Sequence, residues 1–526
     1  MRRGHVWLAF AALCALGSAA CGGGNKMQGI YTQNYTFYAS GVNSGGLTYS
    51  LAGVVMIGTT ASADGSFAVL GGEQDYNDGH VTTVIDDLLT GGTLVKAADG
   101  SATLTLNTTS KIPGVMGTET FAVFFSNANH ALITEIDGSA TSSGSLDLQP
   151  APAKSMPIPI PSGSYSFVAS GADTAQMPIV YGGVWTVDPL AATVTGTLDV
   201  NDAGVVVTGT PIAPGATFMA PDSLGRGIVM GSTGIGTSLV YYVVGPEVIR
   251  VIDVDTTDTA VGSAYFQGAN QSFGPASIGT SVLSIGSSLG LYAAVGQLTT
   301  VSAIEVPTFS GVGDENESVL NGNAPELAES FDGTYVMASD GYGAMSFKDS
   351  LGSMSALGVY AVDPLLNIND PNNLTGVVGG ALIAEMDPNL VGIGIIVPQT
   401  TPSASSFSGT YIFGAQGETG PTDEFDFAGV GTVTSLAFTG SGALSDPFAT
   451  VTAGVESETA TFMATAAPDT ANPGRYTLNP VAVGTTGSDF APFNFKTVTA
   501  YQASGVLLFW IEVDDGSDFL GSLQQN

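Results

Sequence analysis

The chain repeats itself, and this constrains its fold more than any other feature. Residues 121–149 (FAVFFSNANHALITEIDGSATSSGSLDLQ), 239–267 (LVYYVVGPEVIRVIDVDTTDTAVGSAYFQ) and 497–525 (TVTAYQASGVLLFWIEVDDGSDFLGSLQQ) share one pattern. Each reads strand, turn, strand ending in an acid, turn, strand ending in Gln. A further copy, stretched by an insertion, ends at Gln399. The recurring positions are Asp137, Asp253, Asp387 and Asp514, then Gln149, Gln267, Gln399 and Gln524. Upstream, a turn recurs in GGEQDYNDG (71–79), GTLDVNDAG (196–204) and GVGDENES (311–318), with only a weak equivalent near Gly442 to Asp446. Self-similarity of this kind means one supersecondary plan written several times.

The plan is made of strands. In SYSFVAS, Tyr165, Phe167 and Ala169 face one way and Ser166, Val168 and Ser170 the other, a period of two. VLLFWIEV (506–513) is apolar on both faces, so it should be covered by a core and by a neighbour. After the first twenty residues no segment keeps a helical stripe for three turns. About eight strands per copy in consecutive hairpins imply an all-β chain of four tandem antiparallel β-barrel-like modules, since closure removes exposed edges. Two-sheet β-sandwiches are the alternative. The expected divisions are a signal peptide at 1–20, a lipidated tether at 21–26, and modules at 27–150, 161–270, 280–400 and 405–526.

The N-terminus carries an address. Arg2 and Arg3 precede an apolar run from Val6 to Leu16 and the small residues Gly17 to Ala20. That is a secretory signal, too short to span ~30 Å of hydrocarbon. Ser18-Ala19-Ala20-Cys21 resembles the lipobox of bacterial lipoproteins, although Ser18 stands where that family usually has Leu. The resemblance implies cleavage before Cys21 and lipidation of its thiol; the alternative is ordinary cleavage that leaves Cys21 free. Gly22 lacks the Asp that retains some lipoproteins at the inner membrane, which points to the outer one. The modules themselves resemble the repeated all-β units of bacterial envelope lipoproteins, which implies an envelope location and no known activity.

Charge narrows the partners. Loss of residues 1–20 removes Arg2 and Arg3 and leaves nine basic residues against 46 acids, a net charge of −37. Such a surface repels phosphate backbones, so no nucleic-acid partner is expected. It also repels anionic headgroups, so membrane attachment must come from the lipid. With Cys14 gone, Cys21 is the one remaining Cys, and no intrachain disulfide can form. A hydrophobic content of 44% is too high for disorder, and the 71 Gly show no collagen period.

Chemistry is scarce. His80 and His130 both sit in turn-like sequence and read as exposed loop residues. Gly286-Ser287-Ser288-Leu289-Gly290 matches a nucleophile elbow, but no His follows His130. Glu135/Asp137, Glu385/Asp387 and Glu512/Asp514 are acids two apart, open to reading as Ca²⁺ ligands, a glycosidase pair or strand-ending turns; the turn is preferred. Whether the Asp-rich turns at Asp75, Asp199, Asp253, Asp255, Asp314 and Asp514 bind Ca²⁺ stays open. Trp185 and Trp510 are core residues by default, with sugar stacking as the alternative. The expectation is a lipid-anchored, non-enzymatic envelope protein with no catalytic, cofactor or metal residues, working in structure, adhesion or interaction with a protein or polysaccharide. The rivals are a carrier of a small hydrophobic ligand inside a barrel and a carboxylate-based glycoside hydrolase.

Overall fold

The computed structural model describes residues 32–525, except 80–81, 111–116, 151–157, 235, 270, 288–291, 303–305, 318–321, 323, 349–353, 419–423, 447–455, 480, 486–495 and 515–516. The signal segment, the tether, Cys21 and His80 therefore lie outside the described residues.

The chain is all-β and forms four closed, eight-stranded antiparallel barrels, not sandwiches. Their strands run within 32–148, 163–266, 281–398 and 409–525. In each barrel the first strand pairs with the last: Thr32–Asn43 with Ala140–Leu148, Gly163–Asp173 with Asp258–Phe266, Ser281–Ser287 with Gly392–Pro398, and Gly409–Glu418 with Asp518–Gln525. Barrel 2 closes through pairing of its second and third strands, Pro178–Asp188 and Thr193–Asp202, and barrel 4 through its third and fourth, Ala437–Asp446 and Glu456–Pro468; each also carries a short extra strand, Val205–Pro211 in one and Ala482–Thr485 in the other. Closure pairs the first and last strands, which an open sheet would leave as edges; the two extra strands each pair on one side.

Period two sorts the side chains. Tyr165, Phe167 and Ala169 point into the core of barrel 2, where Trp185 stacks on Phe167 at 4.1 Å. Val168, on the other face, joins an apolar cluster shared by barrels 2, 3 and 4. The doubly apolar strand behaves likewise: Leu508 and Trp510 enter the barrel 4 core, while Leu507, Phe509 and Ile511 enter the shared cluster. Ala52 and Val54 of barrel 1 pack on Val240 and Tyr242 of barrel 2. Ala122 and Phe124 of barrel 1 pack on Ile412 and Ala428 of barrel 4. Each barrel thus touches two others, and the four form a circuit rather than a row on linkers. Full burial of one such aliphatic side chain contributes about 1.5–3 kcal/mol.

Candidate functional site

The three recurring turn sequences are the fastenings of this circuit. Each ends the third strand of its barrel (Phe67–Asn77, Thr193–Asp202, Thr308–Asn316) in the pattern Asp-x-Asn: Asp75/Asn77, Asp199/Asn201 and Asp314/Asn316. The Asn amide of one barrel crosses to the next and donates to backbone carbonyls in the turn before the last strand. Asn77 Nδ2 reaches Asp253 O (3.0 Å), Asp255 O (2.8 Å) and Asp258 O (2.8 Å). Asn201 Nδ2 reaches Glu385 O (3.0 Å), Asp387 O (2.8 Å) and Leu390 O (2.8 Å). Asn316 Nδ2 reaches Glu512 O (3.0 Å), Asp514 O (3.4 Å) and Ser517 O (2.6 Å). The contact is close enough to need a glycine at Gly204 (φ +91°), where a Cβ would lie 2.2 Å from Pro388 O of barrel 3.

The Asp two residues earlier accepts from side chains of the same neighbour. Asp75 takes a bidentate pair from Arg226 (both 2.8 Å) and the Tyr242 hydroxyl. Asp199 takes the hydroxyls of Tyr342 and Tyr360, each at 2.7 Å. Asp314 takes a bidentate pair from Arg475 (2.8 and 2.7 Å) and the Tyr501 hydroxyl at 2.6 Å. All three carboxylates are buried. These are charge-assisted bonds, the strong kind. The terminal Gln side chains add to the seams: Gln149 donates to Leu224 O and Val243 O, Gln267 to Asp340 O and Ala361 O, and Gln399 to Gln502 O. Gln524 does not belong to that set. Register places Gln525 opposite Tyr411, as Leu148 is opposite Tyr35, so Gln524 falls two positions short of Gln149.

The seam between barrels 4 and 1 is built differently. Barrel 4 has Ala443-Leu444-Ser445 where the others have Asp-x-Asn. Instead Thr141 Oγ1 of barrel 1 donates to Asp426 Oδ2 (2.9 Å) and lies 3.3 Å from Ser445 O. The difference gives a direct test. Asn77→Ala or Asn201→Ala strands buried carbonyls and should each cost about 1–3 kcal/mol. Ser445→Ala removes a buried hydroxyl whose oxygen has no partner, and should leave the urea midpoint unchanged or raise it slightly.

A charged cluster ties barrels 1 and 2 at the centre. Asp147 accepts from His130 Nδ1 (2.7 Å), from Ser145 (2.8 Å) and from Arg250 of barrel 2. The Arg250 guanidinium lies 4.6 Å over the Tyr38 ring. Burial alone would raise the Asp147 carboxyl, but Arg250 and His130 hold it well below its ordinary value. Burial alone would lower His130, but the Asp147 carboxylate raises it above 6.5. His130 is thus not the exposed loop residue its sequence context suggested; it opens a strand and is 2% exposed. The insertion of the third copy (362–380) crosses to barrel 1 beside it. Asn127 donates to Asp370 (2.6 Å), and Asn372 donates to Leu148 O (3.2 Å).

Between the barrels lies a chamber of about 390 Å³ lined by the first and last strands of all four. Gly144, Gly262, Gly394 and Gly521 hold equivalent places in its walls; a Cβ there would fall 1.8, 2.0, 2.0 and 2.3 Å from a first-strand carbonyl. The interior of barrel 4 offers much less. Aromatic side chains fill barrel 4, leaving about 60 Å³ among Phe413, Phe427, Phe462 and Trp510. That is below the ~300 Å³ of small-molecule sites, so a ligand inside that barrel is disfavoured.

The other candidates resolve as follows. Ser287 ends a strand whose partner, Ala293–Val301, runs antiparallel to it; Ser288, Leu289 and Gly290 of the elbow-like sequence lie outside the described residues. Glu135, Asp253, Glu385 and Glu512 end equivalent strands and Asp137, Asp255, Asp387 and Asp514 follow two later, so Asp253 aligns with Glu135 rather than with Asp137. In barrels 2, 3 and 4 they lie in the turns that receive the Asn amides, whereas in barrel 1 Asp137 accepts from Thr120 N and Ser139 N. Asp75, Asp199 and Asp314 lie in seams, not exposed turns. Trp185 and Trp510 are buried in cores. Among the described residues no group of three or more His, Cys, Asp or Glu is placed to hold a metal, and no helix is long and apolar enough to cross a membrane.

The class defined is thus a circuit of four clasped barrels around a chamber. No family model and no curated protein matches the chain. Solved structures that overlay on it include transferrin binding protein B from Haemophilus parasuis, at 13% identity over 76% of this chain and 84% of that one, with a TM-score of 0.21. Transferrin binding protein B from Neisseria meningitidis overlays at 10% identity over 76% and 84%, with a TM-score of 0.19. At those scores neither family nor activity passes from them to this chain.

Proposed function

We propose that the chain is a lipid-anchored protein of the bacterial envelope, held in the outer membrane through Cys21, whose barrels form one rigid, non-enzymatic scaffold for interaction with a protein or polysaccharide. The observation that carries the reading is the set of buried Asp-x-Asn clasps. They spend the conspicuous acids on fastening barrels together, in three copies of one arrangement, where a catalytic site would be a single specialised place. Rigid elements present a binding surface at lower entropic cost than loosely linked domains. The strongly acidic composition favours partners that are neutral or basic.

The anchor is tested by Cys21→Ala. Expressed in a diderm bacterium, the parent chain should sediment with outer membranes, and the variant should move to the soluble periplasmic fraction. Identical fractionation of the two would refute the anchor.

A further inference from the structure

Three of the four seams set an acid of one barrel against donors of the next, whereas the seam between barrels 4 and 1 sets acid on acid. Glu418 lies directly opposite Glu424 in register, and Asp518 lies opposite Glu418. Asp426 follows two residues after Glu424, on the same face of its strand. All four are buried. Like charges directly opposite across a ladder are destabilising. Among the described residues no ion pair reaches Glu424 or Asp426. Their donors are neutral: Gln416 Nε2 to Glu424 (2.6 Å) and Thr141 Oγ1 of barrel 1 to Asp426 (2.9 Å). The two carboxyls also contact each other, a contact that is a hydrogen bond only while one of them keeps a proton. Burial raises both above the usual carboxylate range; the charges of Asp426 and Glu418 add to this at Glu424, and Ser143 and Thr141 offset part of it at Asp426. The other charged groups on the strands packed here are engaged elsewhere. Glu119 accepts from Gln74, and Glu135 from Tyr49 and Ser142, inside barrel 1. Asp137 accepts from Thr120 N and Ser139 N, and Asp446 lies on the face opposite Ser445. The cations His130 and Arg250, the latter over the Tyr38 ring, both pair with Asp147.

We propose that this seam is a proton-held latch in the circuit: it stays shut while Glu424 and Asp426 hold a proton between them, and it parts when both ionise, letting solvent into the chamber. Parting returns water to two like charges that are costly to keep buried together. The Asp-x-Asn clasp that would resist it is missing here, and the apolar contact is Ala122 and Phe124 against Ile412 and Ala428. Barrel 1 stays fastened to barrel 2 through Asp75 and Asn77, and to the insertion through Asn127, so one seam opens and the others hold. Ala428 and Leu132 belong both to this seam and to the chamber wall, so its parting uncovers the chamber. A raised carboxyl favours the shut form at low pH, and that contribution is lost as pH climbs through the raised value. The latch depends on neither the membrane anchor nor the partner of the proposed function.

The test measures distances between nitroxide labels on the full exported chain carrying Cys21→Ala, which leaves it free of other Cys. Thr103 of barrel 1, Thr334 of barrel 3 and Thr439 of barrel 4 are exposed and take the labels. Thr103→Cys with Thr439→Cys reports on the latch; Thr334→Cys with Thr439→Cys reports on the clasped seam between barrels 3 and 4. Between pH 6 and pH 9 the first distance should lengthen reversibly by about 5 Å or more, one strand spacing, while the second stays the same. Glu424→Gln with Asp426→Asn keeps both groups uncharged and should hold the first distance at its pH 6 value throughout. The proposal is overturned if the parent chain shows the same first distance at both pH values, if the two distances lengthen together, or if the double variant opens as the parent does. The parent's own response decides the matter should the double variant fail to fold.

Discussion

Asp147→Ala is expected to lower the stability of the protein by about 3–5 kcal/mol, the usual cost of leaving a buried charge without its partner. Asp147 is fully buried, and Arg250 has little access to solvent through which to recover what it loses. His130 loses the acceptor for Nδ1 at the same time. The readout is the urea midpoint at an unchanged m-value, which separates a loss of stability from a change in the surface exposed. The double variant Asp147→Leu/Arg250→Met should recover much of the loss, because a buried pair replaced by apolar groups of similar size is often close to neutral. Simple additivity of the two single variants would mean that they do not interact.

The second large effect is on pH. Burial, the leading cause in each case, pushes Glu119 and Glu385 up to about 8, Asp253 to about 9 and Glu512 to about 10. Unfolded, such groups titrate near 4. Between those values the folded chain holds protons that the unfolded chain has released, so stability falls as pH rises. A single group held in this way removes on the order of 4 kcal/mol from pH 5 to pH 8, at about 1.4 kcal/mol per unit. His130, raised above 6.5, acts in the same sense: its contribution is complete below 6.5 and is lost as pH climbs through its folded value. Asp147 acts oppositely, because its depressed value gives stability that is present above about 4 and lost only in stronger acid. The urea midpoint should therefore be higher at pH 5 than at pH 8. Glu119→Gln should flatten that slope and raise the midpoint at pH 8, since the amide keeps the uncharged form that burial favours at Glu119 and retains an oxygen to accept from Gln74, 2.7 Å away. A midpoint that rises from pH 5 to pH 8 would contradict these assignments.

Strands and closure were legible because they depend on local alternation. Tyr165, Phe167 and Ala169 show their common face directly, and the doubly apolar 506–513 announces two coverings. The seams were harder, because Asp and Asn are also the preferred residues of turns. Asp75-Tyr76-Asn77 carries the same letters whether its side chains cap a local turn or cross to another barrel. Asn77 does both: Oδ1 accepts from Gly79 N at 2.9 Å while Nδ2 crosses over. The signal that separates the readings is positional. A local turn has no reason to keep Asp-x-Asn in three copies and lose both residues in the fourth. His130 was misread because Asn127 and Asn129 make a turn that ends one residue before it. Its partner Asp147 lies in the next strand but one residue type cannot reveal a pairing. The glycine five residues before Gln149, Gln267 and Gln399 is a further regularity, visible in the letters but without meaning until four walls are seen to meet.

The blank position on barrel 4 has a consequence beyond one molecule. A plug and socket that repeat head to tail build a fibre unless rotation closes them on themselves. Here three plugs fill three sockets, the last plug is missing, and the remaining socket is already occupied by the chain's own far end. The mutual recognition that gathers the copies within a molecule therefore leaves nothing with which to recruit the next one.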